Sequence, residues 1–471
     1  MENITNPTDI KPKDENTTLY IILLSFIFLF QFISKSKDVN TPSTPEQKSK
    51  SDKLFWKFLI IIQIAKTVQW CITPYHYEFF SEYHSLSNAS IAKYMSLSFM
   101  SSSLFGTLIS GYLNDRENKT ISCLCFALSM IITNITRLIK NPVSLAISQI
   151  AFGFSSSLLY SSFENWFVNK CNNDIEDKAV RDALLTNSFE KNAICDPLTA
   201  MFVNFIVSNL KKEYGIVFPF YISILVSILV IVLLLIFYNE NSDTTKPSAQ
   251  LKVPHVVKPI KNPFVNIGVT LKYLYSHPSL FFVGITETLI YSTLHIFGLI
   301  WNPTLKELNP RMDTGKTFFL LMMGFMAGST SFRILYSYFS CNAGSVGKTS
   351  CFFVLIGLIL CILRVDYTNV LYGLLCFEAG IGMFYPSYGK IKAELLPKEH
   401  RGTMMVLFKM PFNVLVACLF WGLDKYIDMS QMRIIAASFA GISFILQVAS
   451  FNTKQKVEEK EEKKEKKKKK K

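Results

Sequence analysis

Long apolar runs recur along the chain between short polar connections, a pattern that predicts a bundle of membrane-spanning helices. A spanning helix needs about 20 mostly apolar residues, and a leading run at 18–34 and twelve further runs are of about this length. The twelve predicted spans, numbered in chain order, cover residues 55–75, 91–113, 120–138, 143–168, 184–207, 216–238, 277–300, 315–338, 348–364, 368–390, 403–424 and 431–450. No run alternates as the strands of an outer-membrane barrel do. We therefore expect an all-α polytopic membrane protein.

A proline-containing polar stretch divides the twelve spans into six and six. This arrangement is typical of transporters built from two related bundles. In chain order we predict a polar N-terminus, an extra spanning helix, a linker, a six-helix bundle, a central loop, a second six-helix bundle and a tail, at residues 1–17, 18–34, 35–54, 55–238, 239–276, 277–450 and 451–471.

Lysine and arginine residues indicate the side of the membrane on which each connection lies. Cytosolic connections carry more of them than outer ones, and the loop after span 2, the central loop and the C-terminal tail are all basic. We therefore expect 35–54, 239–276 and 451–471 in the cytosol and residues 1–17 outside. The alternative for 18–34 is a signal peptide that is removed.

The composition supports a membrane protein. Apolar residues make up 50% of the chain and charged residues only 18%, whereas about a quarter of an average soluble chain is charged. This argues against soluble domains and against nucleic-acid binding, despite a formal net charge of +14. The ten cysteines include no CxxC pair, so no metal and no cofactor is expected. No pairing of a nucleophile with a base emerges, so we do not expect an enzyme.

The C-terminal tail is a separate low-complexity segment. Residues 452–471 hold 11 Lys and 5 Glu, so we predict a solvated tail that an anionic inner leaflet could attract. We expect a multi-pass protein of the cell membrane. The last four residues, Lys468–Lys471, fit a dilysine retrieval signal, so an internal membrane is the alternative.

The loop between spans 2 and 3 resembles the G-x-L-x-D-R-x-G-R loop of the major facilitator superfamily. The matching residues are Gly111, Asp115, Arg116 and Lys119, with Asn118 in place of the second glycine. The resemblance implies that these residues lock and release the inner ends of the helices. Arg401, which follows span 10, is predicted to share this gating role.

A closer resemblance, to the molybdate-anion transporter family, covers roughly residues 55–450. The motifs that carry it are Phe163-Glu164-Asn165-Trp166, Ser188-Phe189-Glu190-Lys191, Glu287, Trp301-Asn302-Pro303, Phe377-Glu378, Gly382, Tyr385-Pro386-Ser387, Pro397 to Thr403, and Phe408-Lys409-Met410-Pro411-Phe412-Asn413. The resemblance implies a major facilitator fold, a central cavity lined by spans 1, 4, 7 and 10, and molybdate as the substrate. The chain departs from the family at Gln69, Ile72 and Thr73 in span 1 and at Lys409, where an arginine is usual.

Ionisable residues within the spans are candidate functional residues because charges are costly in a bilayer. Spans 5 and 11 are counterparts in the two halves, so Lys191 and Lys409 are predicted to bind an anion from both sides, with Lys66 as a third cation. The resemblance to the molybdate-anion transporter family adds Trp70, Tyr75, Tyr385 and Asn413 as expected substrate-binding residues. The predicted proton-coupling residues are Glu378, Glu287, Glu164 and His295.

Together these features predict a secondary transporter that moves a small oxyanion by alternating access, coupled to protons. We expect a monomer in a lipid bilayer with a small-molecule anion as its partner. Two alternatives stay open. One is a transporter of a sugar or another organic nutrient, which aromatic helix faces without a net cavity cation would favour. The other is a membrane sensor or scaffold that keeps the fold but does not transport.

Overall fold

The computed structural model describes residues 19, 21–27, 45–115, 120–239, 263–396 and 401–468, and nearly all of them are helical. Twelve long helices in this part of the chain correspond one to one with the twelve predicted spans. They are α1 (Pro45–Trp70), α2 (Asn88–Asp115), α3 (Thr120–Leu138), α4 (Pro142–Asp174), α5 (Lys178–Tyr214), α6 (Phe218–Asn239), α7 (Pro278–Leu308), α8 (Thr314–Ser337), α9 (Ala343–Leu363), α10 (Tyr367–Leu395), α11 (Arg401–Trp421) and α12 (Met429–Lys468).

Ten helices of the described part are long and apolar enough to cross a membrane. α3 has the bounds predicted for span 3, whereas α5 is 37 residues long and extends well beyond span 5 at both ends. The extension begins where Asp177 caps α5 by accepting hydrogen bonds from two backbone N–H groups. Of the predicted extra helix at 18–34, residues 21–27 are helical, and most of the remainder lies outside the described residues.

Two segments are more helical than the polar sequence suggests. A helix, Pro263–Ser276, occupies the end of the predicted central loop. α12 continues for 40 residues to Lys468, so the predicted solvated tail is helical over most of its length. This tail contains neither Gly nor Pro, and Glu and Lys recur three and four residues apart, which favours a helix.

The chain between α1 and α2 is a broken segment, Thr73–Tyr83. It consists of a 3₁₀ turn (Thr73–Tyr75), one α-turn (His76–Glu78) and a π-turn (Phe79–Tyr83). Pro74 lies in the first of these turns, and proline cannot donate the backbone hydrogen bond that a continuous α-helix requires. The break changes the direction in which the side chains of this segment point.

The helices pack as two matched bundles. In the first, α1 contacts α5 and α6, α4 contacts α2 and α3, and α3 contacts α6. Adding six to each number gives the contacts of the second bundle: α7 with α11 and α12, α10 with α8 and α9, and α9 with α12. The main contacts between the bundles are α2 with α11 and α5 with α8. These two pairs are also equivalent, because α2 corresponds to α8 and α5 corresponds to α11. A pseudo-twofold therefore relates the two halves.

Glycines bring two equivalent helix pairs close together, one on α4 in the first bundle and one on α8 in the second. A Cβ atom on Gly153 of α4 would overlap the carbonyl oxygen of Ser98 on α2, and a Cβ atom on Gly328 of α8 would overlap that of Ala379 on α10. Small residues allow such close approach between membrane helices. On the outside of the bundles, large apolar side chains such as Phe202 and Leu225 are each 67% exposed, as expected for a lipid-facing surface.

Candidate functional site

Polar side chains form a cluster where α1 packs against α5. The α1–α5 cluster comprises Gln63, Lys66 and Trp70 of α1 and Asn192, Asp196 and Thr199 of α5. In each helix the three residues are three or four positions apart, so they lie on one face. The two faces meet because α1 and α5 are neighbours in the first bundle.

Lys66 is the charged centre of this cluster. Its Nζ atom lies 2.9 Å from Oδ2 of Asp196 and donates a hydrogen bond of 3.0 Å to Oδ1 of Asn192. The Lys66 side chain is 6% exposed and that of Asp196 is 25% exposed. Trp70 donates from Nε1 to the other carboxylate oxygen of Asp196, at 2.9 Å. The ammonium group is thus desolvated, neutralised by Asp196 and held in place by Asp196 and Asn192.

The amides of the cluster continue this network. Gln63 Nε2 donates to Asn192 Oδ1 at 2.9 Å, and Thr199 Oγ1 donates to Gln63 Oε1 at 2.8 Å. Asn192 Oδ1 therefore accepts from both Gln63 and Lys66. A further amide of α1, that of Gln69, donates to Ser156 of α4 at 3.1 Å.

Trp70 also belongs to an aromatic layer between the two bundles. The ring of Phe318 on α8 lies 6.0 Å from the ring of Trp70 and 6.0 Å from that of Trp301 on α7. Trp301 and Phe318 are 4% and 6% exposed. Because Lys66 is one turn before Trp70 on α1, the charged centre of the cluster lies next to the boundary between the bundles.

The second bundle contains a buried ion pair of its own. Glu287 of α7 and Lys392 of α10 are joined at 2.5 Å, with side chains 1% and 11% exposed. The other carboxylate oxygen of Glu287 has no hydrogen-bond partner among the described residues. Span 10 was predicted to end at 390, which left Lys392 in a cytosolic connection, whereas α10 continues to Leu395 and carries Lys392 into the bundle.

Glu378 is another buried acid, in the middle of α10, and it is 3% exposed. Within the described part of the chain it has no hydrogen bond or ion pair. α8 passes close to it, since a Cβ atom on Gly324 would lie 3.6 Å from the Cβ atom of Glu378. An ionised carboxylate without a nearby cation is costly in such surroundings.

His295 and Tyr385 lie in an aromatic group around Tyr291 and Phe412. The Tyr291 ring is 5.7 Å from the Tyr385 ring and 5.5 Å from the Phe412 ring, which stacks on His295 at 5.0 Å. Nδ1 of His295 is 2.7 Å from the carbonyl oxygen of Tyr291. Phe99 of α2 lies 5.0 Å from the His295 ring on the other side, so this group also spans the two bundles.

The remaining predicted site residues are dispersed. Lys191 is exposed on α5, one position before Asn192, and Glu164 of α4 is partly buried. Asn413 is 8% exposed and Tyr75 is fully buried, with Lys211 Nζ 5.0 Å from the centroid of its ring. The side chain of Lys409 lies outside the described residues. The pairing of Lys191 with Lys409 across one cavity therefore remains a prediction.

The gating prediction also remains a prediction. Gly111 and Asp115 lie in the last turns of α2 and Arg401 begins α11, but the side chains there are not among the described ones. Arg116 and Lys119 lie outside the described residues.

At the predicted outer end, ion pairs connect the two bundles. Oε1 of Glu78, in the broken segment, is 2.5 Å from Lys211 Nζ of α5 and 3.0 Å from Lys306 Nζ of α7. Lys306 also lies 2.8 Å from Glu82. This outer ion-pair network was not predicted from the sequence. The signal for it was the presence of Glu78 and Glu82 in one predicted outer connection and of Lys211 and Lys306 in two others.

Asp313, which caps α8, extends the network. It accepts from Ser208 Oγ at 2.7 Å and lies 2.6 Å from Lys212 Nζ, both on α5. Burial alone would raise the pKa of Asp313, but the hydrogen bonds from Lys212, Ser208 and the backbone N–H of Lys316 lower that pKa below its usual value. The ionised carboxylate therefore joins the end of α5 to the start of α8.

Comparison with known proteins supports the architecture. A family model of the major facilitator superfamily, described as sugar transporters with twelve transmembrane helices, matches residues 19–362. The molybdate-anion transporter of Xenopus tropicalis is 23% identical over 410 residues, which is 84% of this chain and 86% of that protein. The molybdate-anion transporter of Danio rerio is 26% identical over 388 residues, 78% of each chain.

Solved transporter structures share the fold. The nucleoside transporter NupG superposes with a TM-score of 0.61 at 14% identity, covering 85% of this chain and 98% of its own. A D-xylose–proton symporter superposes with a TM-score of 0.60 at 11% identity, covering 83% and 97%. At these identities the likeness concerns the arrangement of helices alone.

Proposed function

This chain belongs to the twelve-helix family of the major facilitator superfamily whose model it matches, and from that premise we propose that it is a proton-coupled oxyanion transporter. It is a multi-pass membrane transporter. The oxyanion, the proton coupling and alternating access are the proposed parts. Molybdate is the proposed substrate because two of the similar proteins carry that name.

The observation that carries the proposal is the ion pair of the buried Lys66 and the partly buried Asp196 beside the boundary between the bundles. An oxyanion entering a low-dielectric site needs a cation, and the ammonium group of Lys66 is already desolvated there. As long as Asp196 is ionised, its carboxylate pairs with the ammonium group of Lys66, which is then not available to an anion. A proton that neutralises Asp196 would free Lys66 to bind the anion, so that proton and anion are taken up together.

The acids of the second bundle supply further proton sites. Glu378 is buried and unpaired within the described residues, so we propose that it holds a proton during part of the cycle. Glu287, paired with Lys392, repeats in the second bundle the acid–lysine arrangement of the first. Lys191 and Lys409 stay candidates for additional anion contacts, and Glu164 and His295 for additional proton sites.

The outer ion-pair network supports alternating access. Glu78 and Asp313 each bond to lysines or hydroxyls of the opposite bundle, so the predicted outer end is tied closed. Opening toward the outside requires these ion pairs to separate, whereas opening toward the inside leaves them intact. We propose that this network is the outer gate and that the conformation described is the one closed on the outside.

Uptake of molybdate into proteoliposomes tests the proposal. We expect wild-type protein to concentrate molybdate when the outside is acidic, Lys66→Gln to lose uptake, and the exposed Lys93→Gln variant to match the wild type. Asp196→Asn imitates the protonated acid, so it should still bind molybdate but should not use the proton gradient. Molybdate binding without uptake by wild-type protein would favour the sensor alternative instead.

A sugar transporter is the second candidate. The net charge of the Lys66–Asp196 pair is zero, and Trp70, Trp301 and Phe318 line the boundary between the bundles, as suits a neutral ring-shaped solute. The description of the matching family model is in line with this candidate. Uptake of a labelled hexose or pentose that molybdate does not inhibit would decide for it.

A further inference from the structure

Arg137, in the last turn of α3, is a fully buried arginine outside the α1–α5 cluster. Its relative exposure is 0%. It lies in the first bundle at the predicted outer end, among residues of α3, α4, α6 and the broken segment. None of the mechanism above uses it.

No carboxylate pairs with Arg137 in the described part of the chain. Its Nη1 group lies 2.8 Å from Nε2 of His76, while Nε and Nη2 have no hydrogen-bond partner among the described residues. The N–H bonds of Nε and Nη2 point in the same direction along one edge of the guanidinium group. This edge of an arginine can bind an anion through two parallel hydrogen bonds. No described residue places an acceptor there.

The surroundings of Arg137 add no negative charge in the described part of the chain. Lys140, three residues later and over the ring of Tyr83, adds a positive charge, while Nε2 of the neutral His84 ring contacts the carbonyl oxygen of Arg137 at 2.9 Å. The acids of the broken segment are engaged with lysines of α5 and α7, as described above. No described residue therefore neutralises the positive charge of Arg137.

Three phenylalanine rings surround the guanidinium group. The Cζ atom of Arg137 lies 5.5 Å from the ring centroid of Phe80, 5.2 Å from that of Phe152 and 5.7 Å from that of Phe220. Cation–π attraction offsets part of the desolvation of the charge. It does not provide acceptors for Nε–H and Nη2–H, and buried donors of this kind nearly always have a partner.

We propose that the Nε–Nη2 edge of Arg137 binds a small inorganic anion. The anion would neutralise the arginine and satisfy both donors. Because His76 bonds the other side of the same guanidinium group, a bound anion also fixes the broken segment against α3. The site is structural and separate from the transport route through Lys66.

The neutral alternative is a water molecule between Arg137 and the amide of Asn134. Oδ1 of Asn134, one turn earlier on α3, is also buried without a partner, while its Nδ2 donates to Ser223 at 2.9 Å. A water could accept from the arginine and donate to Oδ1. Such a water would satisfy the geometry without responding to the anions in solution, so an anion titration separates the two.

The test is thermal unfolding of the purified full-length protein in gluconate buffer, titrated with sodium chloride at constant ionic strength. We expect a saturable rise of the unfolding midpoint of roughly 3 °C. Arg137→Lys keeps the charge but loses the two-donor edge, so its response should be lost. Arg311→Gln removes an exposed arginine at the same end of the molecule and should respond as the wild type does.

Two further arms keep the result interpretable. The unfolding midpoint of the wild-type protein is also measured with bromide and with sulfate in place of chloride. This comparison does not depend on the folding of any variant. Saturation by chloride or bromide supports a halide site, and saturation by sulfate alone supports an oxyanion at the same edge. A flat wild-type response, or a response that Arg137→Lys shares in full, would overturn the proposal in favour of the bridging water or a general salt effect.

Discussion

The Nζ atom of Lys66 lies 2.9 Å from Oδ2 of Asp196, so a buried cation of α1 is neutralised by a carboxylate of α5. The indole of Trp70 donates to the same carboxylate and contacts Phe318 of the opposite bundle. Asp196 therefore lies next to the boundary along which the bundles would move in the proposed alternating access. This relationship connects the electrostatics of the site to the conformational change of a transporter.

Removing one member of the Lys66–Asp196 pair should destabilise the protein more than removing both charges. Asp196→Asn leaves the buried ammonium group of Lys66 without its carboxylate, and such losses cost about 3–5 kcal/mol. Lys66→Gln combined with Asp196→Asn leaves no charge, so we expect it to recover at least half of that loss. Unfolding midpoints of the two single variants and the double variant give the comparison; a strictly additive double variant would show that the two residues do not interact.

The close approach of α8 and α10 should be sensitive to a single methyl group. A Cβ atom on Gly328 would overlap the carbonyl oxygen of Ala379, so we expect Gly328→Ala to cost roughly 1–3 kcal/mol of stability. Gly298 of α7 has no neighbouring atom within 4 Å of a Cβ position, so Gly298→Ala is the matched control and should be neutral or slightly stabilising. Equal unfolding midpoints for the two variants would contradict this packing.

Glu78 should hold the outer gate closed, because its carboxylate contacts lysines of both bundles. Glu78→Gln should make a cysteine at Met312, which is 8% exposed beside this network, react about tenfold faster with a membrane-impermeant thiol reagent, equivalent to roughly 1.4 kcal/mol. The background is the labelling of the native cysteines in Glu78→Gln without Met312→Cys. Glu213→Gln removes an exposed acid of α5 and should leave the Met312→Cys rate unchanged. Unchanged labelling in Glu78→Gln would mean that the network does not gate.

The contribution of Asp313 should depend on pH in a defined direction. Its pKa is lowered in the folded protein, so its contribution is fully present above the unfolded value, about 3.9, and is lost as the pH falls through the folded value. Asp313→Asn keeps the capping ability but removes the charge, and we expect a loss of about 1 kcal/mol at neutral pH. The difference in unfolding midpoint between the two proteins should be constant above pH 5 and shrink below about pH 4. A difference in unfolding midpoint that grows as the pH falls would contradict the lowered pKa of Asp313.

Hydrophobic runs predict the number and order of the twelve helices well, because a bilayer requires long apolar segments whose backbone is hydrogen-bonded internally. The ends are predicted less well. Capping by Asp177 begins α5 several residues before its apolar run, and α10 continues past residue 390, the predicted end of span 10, to bring Lys392 beside Glu287. Hydropathy alone cannot predict these helix ends, because it assigns every lysine to a loop.

The site is only partly predictable from the sequence for a similar reason. Lys66 is singled out as a charge in an apolar span and Trp70 by the family resemblance, and the structure brings both into one cluster. Asn192 and Thr199 carry no charge and attract no attention, although they complete the network. Lys191 precedes Asn192 by one position, and one position on a helix is a turn of 100°, which separates an exposed side chain from a buried one.

The most direct test of the central claim is the effect of Lys66→Gln and Asp196→Asn on molybdate uptake into proteoliposomes across an imposed pH gradient. The account predicts that wild-type uptake rises with the inward proton gradient, that Lys66→Gln abolishes uptake, and that Asp196→Asn retains binding without any dependence on the gradient. Wild-type-like, gradient-driven uptake by both variants would contradict it.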